Sequence, residues 1–369
     1  MTKLKIAYVV SDLKRVGPTN QTLNIIKNSK YKESSIVITL FKEDKNDTMI
    51  SEYKKNGIKI ECLNLNRVTF LFSGKKKLLK ELKKYKIDIV HSYGVKPDCL
   101  CNKICSSNKI SHIITLRNYP KDDILTRMNF FKGIIALHYH LNALLKCKNV
   151  VCCSKTICEK MKNDYPQKNW YYIQNGIDIE KFRKIDKNEK EKLREKYNFD
   201  KDRIIFISTG SFIPRKRIEE TILGFIKSES NGILLLLGEG FLLNELKEKY
   251  SFYKNIIFYG KVPQIEKFLQ LSDFFVSSSE SEGLPNGVIE ALATSLPVVL
   301  SDIPQHKEIL DQIKDAGITY KLGNIDEMSK AINNIYIYKN NNINVRNSPF
   351  TMYNMSKKYI DFYEKIRGE

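Results

Sequence analysis

SSSESEGLPNGVIEALATSLPVVLSD, residues 277–302, holds two buried-strand patterns with a helix between them. FFVSSSE (274–280) is an apolar run that ends in serines. GLPNGVIEALATS (283–295) is a turn entering an amphipathic helix, and LPVVLSD (296–302) is a second apolar run. Strand, helix and strand in this order give a parallel crossover, which belongs to a sheet covered by helices on both faces. The turn consists of Gly283, Leu284, Pro285, Asn286 and Gly287. It is bracketed by Glu282 and Glu290, with seven residues between the two carboxylates. Amides at a helix start favour an anion such as phosphate. Glu282 lies just before the turn and can reach the same opening. Glu290, read as part of the first helical turn, can accept two hydroxyl protons from a sugar or a ribose.

The same alternation extends in both directions. RIIFISTGSF (203–212), GILLLLGEG (232–240) and NIIFYGKV (255–262) read as strands. Ile218–Lys227, NELKEKY (244–250) and IEKFLQLSD (265–273) read as helices. Upstream, a polar bridge at 184–202 separates this half from another alternating series. KIAYVV (5–10), SIVITLF (35–41), IKIECLNL (58–65), IDIVHSY (87–93), HIITLRN (112–118), NVVCCS (149–154) and WYYIQNGID (170–178) are its strands. NQTLNIIKNS (20–29), the basic KKKLLKELKKYK (75–86) and TICEKMKND (156–164) are its helices, with a mixed segment up to about Lys146. A terminal helix is expected at about 351–366. The expected organisation is an N-terminal domain over 1–183, a second domain over 184–345, and a tail, 346–369, packing back on the first. In open α/β sheets ligands sit beyond the carboxyl ends of the strands, so two such domains facing one another would enclose an interdomain cleft.

Composition narrows the function. A chain of 369 residues with 42% hydrophobic and 28% charged residues is an ordinary two-domain globular protein, not a fibrous or disordered one. Lys and Arg total 62 against 42 Asp and Glu, a net charge of +20. Such a surplus fits an anionic substrate or an anionic lipid surface. Nucleic acid is not expected, because no RNA-binding signature, zinc finger or basic-aromatic repeat accompanies the charge. The eight cysteines include no C-x-x-C pair and read as structural thiols in a reducing compartment. No run approaches the ~18 apolar residues of a membrane span. The first residues read as a strand rather than a signal peptide, so a cytoplasmic location is expected.

Taken together, these motifs resemble the retaining nucleotide-sugar glycosyltransferases of family 4, which have the GT-B fold. The resemblance runs through S-x-x-EGLPNxxIEAxAxxxPVV with its E-x7-E spacing. It extends to NGIDIEKF (175–182), GSFIPRKR (210–217), LLLLGEG (234–240), FYGKV (258–262) and YIDFYEKI (359–366), and so covers nearly the whole chain. It implies an α/β GT-B enzyme of hexosyltransferase type, made of two Rossmann-like doubly wound domains. The second would bind a nucleotide sugar, UDP- or GDP-linked, and the first a glycan or lipid-linked acceptor.

Residue by residue, the resemblance places Lys216 where the family's lysine holds the donor diphosphate. Ser211 stands where many members carry an arginine, which leaves Arg215 to compensate. Gly238, Lys261, Val262, Glu282, the turn 283–287 and Glu290 fall on the donor side. Gly17, in VSDLKRVGPTNQTLNII (10–26), falls in a loop the family uses near donor phosphates and acceptor. It is not part of a G-x-G-x-x-G, so a nicotinamide site is not indicated. His91 is an acceptor-side candidate. Arg117–Asn118 stand where many relatives have a histidine that contacts the reacting sugar. A guanidinium cannot act as a base, but it can hold an anionic acceptor or a leaving phosphate. Glu282, Lys216 and Arg117 are thus the candidates for direct work at the reacting atoms. No cofactor or metal is expected, since protein cations can neutralise the diphosphate. The basic helix 75–86 and NFFKGIIAL (129–137) are candidates for peripheral contact with the inner face of a membrane. The rival readings are a non-catalytic nucleotide-sugar or nucleic-acid binding protein, and a sugar-nucleotide epimerase on the same fold.

Overall fold

A computed structural model describes residues 3–367. The chain forms two compact units, Met1–Gly176 with Met352–Glu369, and Ile177–Thr351. The sequence placed the divisions at 183/184 and 345/346. The intervening residues go with the second unit because Ile177 N donates to Phe350 O (2.9 Å) and pairs with Thr351 in a parallel bridge.

The first unit has seven strands: β1 (Ile6–Val10), β2 (Ser35–Phe41), β3 (Lys59–Leu65), β4 (Ile89–Ser92), β5 (Ser111–Leu116), β6 (Asn149–Cys152) and β7 (Tyr171–Tyr172). They form one parallel sheet in the order β3-β2-β1-β4-β5-β6-β7. Between them lie α1 (Gly17–Lys27), α2 (Ile50–Lys55), α3 (Arg67–Lys84), α4 (Val95–Asn108), α5 (Pro120–Arg127), α6 (Phe130–Lys146) and α7 (Lys155–Asp164). Successive residues of β1 alternate between the two faces. Ile6, Tyr8 and Val10 enter one core and Ala7 and Val9 the other, as the period of two requires. Helix α3 begins well before the basic run, because Asn66 and Thr69 form a capping box. The mixed segment resolves into α5 and α6.

The second unit repeats the plan with six strands: β8 (Ile205–Thr209), β9 (Ile233–Leu237), β10 (Ile256–Gly260), β11 (Phe274–Ser277), β12 (Val298–Ser301) and β13 (Gly317–Tyr320). Their parallel order is β10-β9-β8-β11-β12-β13. Its helices are α8 (Lys187–Lys196), α9 (Ile218–Lys227), α10 (Leu243–Lys249), α11 (Ile265–Leu271), α12 (Asn286–Ala293), α13 (Pro304–Gln312) and α14 (Ile325–Asn334), and the chain continues to α15 (Met352–Arg367). The polar bridge therefore contains a helix, α8, capped by Asp186 accepting from Glu189 N (2.8 Å). Helix α15 spaces Met355, Tyr359, Tyr363 and Ile366 on one face, and all four are buried in the first unit's core.

The strand order reverses once in each sheet, between β1 and β4 in the first unit and between β8 and β11 in the second. These are the topological switch points, where doubly wound sheets open a crevice at their carboxyl edge.

Candidate functional site

At the second unit's switch point, the loop leaving β8 meets the loop leaving β11. Glu280 N donates to Arg215 O (2.9 Å), and Arg215 Nη1 donates to Ser281 O (2.7 Å). Glu282 is only 6% exposed. Its Oε2 lies 3.3 Å from Arg215 Nη1, and its Oε1 is in contact with Lys216 Nζ. Burial alone would push this carboxyl up. Lys216 and Arg215 outweigh that and hold it at about 2. The carboxylate is therefore charged at all working pH values and fully claimed by two cations. Arg217 adds a second brace, with Nε 2.5 Å from Glu220 and Nη1 3.6 Å from Glu280. It does so from a left-handed backbone (φ 46°).

Two glycines make the close approach possible. Gly238 has φ +142°, and a Cβ there would stand 1.7 Å from Gly210 O. It thus serves the packing under the 210–217 loop. A Cβ on Gly287 would meet Thr209 Oγ1 at 2.8 Å, so a bare backbone is needed where α12 crosses the end of β8.

Helix α12 starts with Pro285 extended at its cap, no side-chain cap bond and no acid in the first turn. The positive end of its dipole favours an anion. Glu290 is the fifth residue of this helix, so it begins the second turn rather than lying on the first. Burial pushes its carboxyl up to about 7, with Lys181 pulling down and Glu266 pushing further up. Lys181 Nζ lies 3.3 Å from Glu266 Oε2. The NGIDIEKF segment thus sends a lysine to Glu290's surroundings. Sequence reading valued that segment only as a turn, and Lys181 and Glu266 went unread.

His306 was also missed. It is fully buried on α13. Its Nδ1 lies 2.8 Å from Ser301 O, and Ser301 Oγ donates to Ser279 O (2.6 Å) beneath the Glu282 loop. Among the described residues its Nε2 has no partner. Ser211 is exposed at the loop tip. Lys261 and Val262 follow β10, the edge strand two places from β8, and Lys261 Nζ lies 2.9 Å from Glu239.

In the first unit, Gly17 is simply the first residue of α1, and its φ is not in the left-handed region. His91 does not face an opening. It is 3% exposed, with Nδ1 2.7 Å from Tyr363 Oη and Nε2 2.6 Å from Thr115 Oγ1. Both ring nitrogens are spent locking α15 to the sheet, which corrects its candidacy on the acceptor side. His140 is equally internal, with Nε2 3.0 Å from Asp98. Arg117 leaves the end of β5. Its Nη1 donates to Asn175 Oδ1 (2.9 Å), and its guanidinium carbon lies 5.5 Å from the centre of the Tyr93 ring. Asn118 Nδ2 donates to Asp123 Oδ1 (3.1 Å).

Residues 37–181 match the family described as Glycosyltransferase Family 4, and residues 189–347 match Glycosyl transferases group 1. The chain is 28% identical over 384 aligned positions to the O-antigen biosynthesis glycosyltransferase WclY of Escherichia coli, with 99% of each chain covered. It is 27% identical to a UDP-Gal:alpha-D-GlcNAc-diphosphoundecaprenol alpha-1,3-galactosyltransferase of Escherichia coli, covering 76% of this chain and 75% of that one. Among solved structures, Anabaena Alr3699/HepE in complex with UDP-glucose superposes with a TM-score of 0.82 at 14% identity. That match covers 98% of this chain and 100% of the other, and is a likeness of fold.

Proposed function

Because the chain belongs to the glycosyltransferases, with a family 4 segment followed by a group 1 segment, we propose that it moves a hexose from a nucleotide-diphosphate sugar, with retention of anomeric configuration, to a glycan or lipid-linked acceptor in cell-surface polysaccharide synthesis. UDP or GDP is the nucleotide. The names of its relatives support the pathway: one is named for O-antigen biosynthesis, and another for galactosyl transfer to a GlcNAc-diphosphoundecaprenol. The observation that carries the reading is Glu282 held between Lys216 and Arg215 at the switch point, beside the start of α12.

In this reading the difficulty is charge. The bond from the anomeric carbon to the diphosphate breaks while a bond to the acceptor oxygen forms. Positive character grows on the sugar and negative charge on the leaving diphosphate. Lys216 and the α12 amides meet the negative charge, and Glu282 meets the sugar. Glu290 accepts from the ribose hydroxyls. The acceptor's proton passes to the departing phosphate oxygen. No metal is required in this scheme, so activity should survive chelation by EDTA.

We also place the enzyme at the inner face of the cell membrane. Lys75, Lys76, Lys77, Lys80, Lys83, Lys84 and Lys86 are all exposed on or just beyond α3. The same helix exposes Val68, Leu71 and Phe72 before them, and α6 exposes Phe130, Phe131, Ile134 and Ile135. Among the described residues no helix is long and apolar enough to cross a bilayer, so contact would be peripheral.

The test is thermal protection by a panel of UDP- and GDP-sugars, followed by transfer to a diphosphoundecaprenol-linked sugar and determination of the product anomer by NMR. A protecting donor and a retained anomer are expected. An inverted product would overturn the stereochemical assignment. Protection by none of the panel would overturn the donor assignment.

A further inference from the structure

Arg194 and Arg215 are buried and accounted for, while Arg117 is half-buried with two guanidinium nitrogens covered. Arg194 donates to Leu271, Lys201 and Arg203 carbonyls and pairs with Asp273 at 2.7 Å. Arg215 pairs with Glu282. Arg117 differs. Its Nε and Nη2 are buried with no hydrogen-bond partner, and among the described residues no carboxylate pairs with it. Asp12 lies near enough to act on the Tyr93 hydroxyl but makes no ion pair with Arg117. Covered guanidinium nitrogens with no hydrogen-bond partner and no counter-ion are unfavourable, and an anion would satisfy both needs.

The orientation is specific. Asn175 holds Nη1 and the Tyr93 ring lies under the guanidinium. The unused pair, Nε and Nη2, is the side-on edge of the fork, the edge that takes the two oxygens of a phosphate or carboxylate. The surroundings add a second anion-favouring feature. Tyr93 Oη lies 3.4 Å from Thr19 Oγ1, and Thr19 sits in the first turn of α1. Helix α1 is 11 residues long, with no side-chain cap bond and no acid in its first turn. Segments leaving β1, β4 and β5 thus converge at the first unit's switch point.

We propose that Arg117 is the centre of an oxyanion site in the first unit, and that it receives a phosphate or carboxylate carried by the acceptor. The enzyme's acceptor is then acidic close to its reacting hydroxyl. This rests on the reading of the first unit as the acceptor unit. The donor's diphosphate has its own cations in the second unit.

The test uses the full chain, with inorganic phosphate as probe and thermal unfolding as readout. It is run with and without saturating UDP or GDP, whichever protects the parent. Phosphate should raise the midpoint of the nucleotide-saturated parent by several degrees. Arg117→Gln should lose most of that shift, and Arg117→Lys should keep part of it. In phosphate-free buffer Arg117→Gln should unfold no lower than the parent, because an unpaired charge has been removed. Its nucleotide affinity should stay within twofold. An equal phosphate shift in Arg117→Gln would overturn the site. So would a phosphate-free midpoint several degrees below the parent's, which would make Arg117 a packing residue. A tenfold loss of nucleotide affinity would transfer Arg117 to the donor diphosphate. If no nucleotide protects the parent, the donor reading fails, while the phosphate comparison still decides this one.

Discussion

The two switch points have the same strand order and different electrostatics. In the second unit, Glu282 answers Lys216 and Arg215, while Glu280 and Glu220 answer Arg217. In the first, Arg117 has a ring face, one amide oxygen and no acid. One crevice is neutral inside itself before any ligand arrives, and the other is positive. A self-paired crevice can exchange its internal partners for those of a ligand that carries both hydroxyls and phosphates. An unpaired cation selects for a ligand with net negative charge. The same contrast holds at the surface, where the lysines of α3 outnumber the nearby acids Glu61 and Glu81, both engaged by Lys84.

Breaking the paired crevice should have the largest effect. Glu282→Ala leaves buried Arg215 and half-buried Lys216 facing each other with no shared carboxylate. About 3–5 kcal/mol of stability should be lost, read as a large fall in the thermal midpoint together with loss of transfer. An unchanged midpoint would mean that the cations are satisfied elsewhere and that the contrast is false. Lys216→Ala keeps the acid and removes the cation proposed to face the leaving group. Turnover should fall by roughly a hundredfold to a thousandfold, well beyond the loss in donor affinity, as seen by kinetics at saturating donor. Equal losses in both would make Lys216 a plain binding group.

Glu290 sharpens the picture further. Glu290→Ala should weaken donor binding by about tenfold to a hundredfold, from a loss of roughly 1.5–3 kcal/mol, in a chain that still folds. The pH dependence has a definite sign. With its carboxyl raised to about 7, Glu290 is half neutral at neutral pH, and the ionised form is the stronger acceptor for hydroxyl donors. Donor affinity measured by calorimetry should therefore rise from pH 6 to 8, level off above, and fall away below. Glu290→Gln should flatten that profile, whereas persistence of the profile in the variant would assign it to another group. The smallest effects belong to the surface. Lys76→Gln and Lys77→Gln should each weaken co-sedimentation with anionic vesicles by roughly fivefold at low salt, and high salt should erase the difference. Equal binding to neutral vesicles would leave the exposed apolar residues of α3 and α6 as the attachment instead.

What the sequence revealed and what it hid follow physical lines. Strands such as SIVITLF and GILLLLGEG are continuous apolar runs in a fully covered sheet, so their pattern survives in isolation. Glu282 and Lys216 could be paired because each sits next to a loop motif at a strand end. Helix α8 was hidden in KNEKEKLREK, where Arg194 is the one buried residue and is held by hydrogen bonds rather than by an apolar stripe. The elements α13, β13 and α14 lie beyond the last strongly apolar strand and were not read. His91 shows the harder limit. A histidine at a strand end has the same one-dimensional signature whether it faces a ligand or, as here, two tyrosines from a helix some 270 residues away. Lys181 and Glu266 show the same limit, because their proximity to Glu290 exists only after folding.

Helix α15 has a consequence for the order of synthesis. The first unit's core needs Met355, Tyr359, Tyr363 and Ile366, and these are translated only after the whole of Ile177–Thr351. At ~5–20 residues per second, the ribosome leaves the first sheet without its covering helix for roughly ten to thirty-five seconds. Throughout that interval Tyr8, His91 and Thr115 have a face open to solvent, or to whatever factor guards nascent chains. The second unit has no such debt and can finish first, although it is made later.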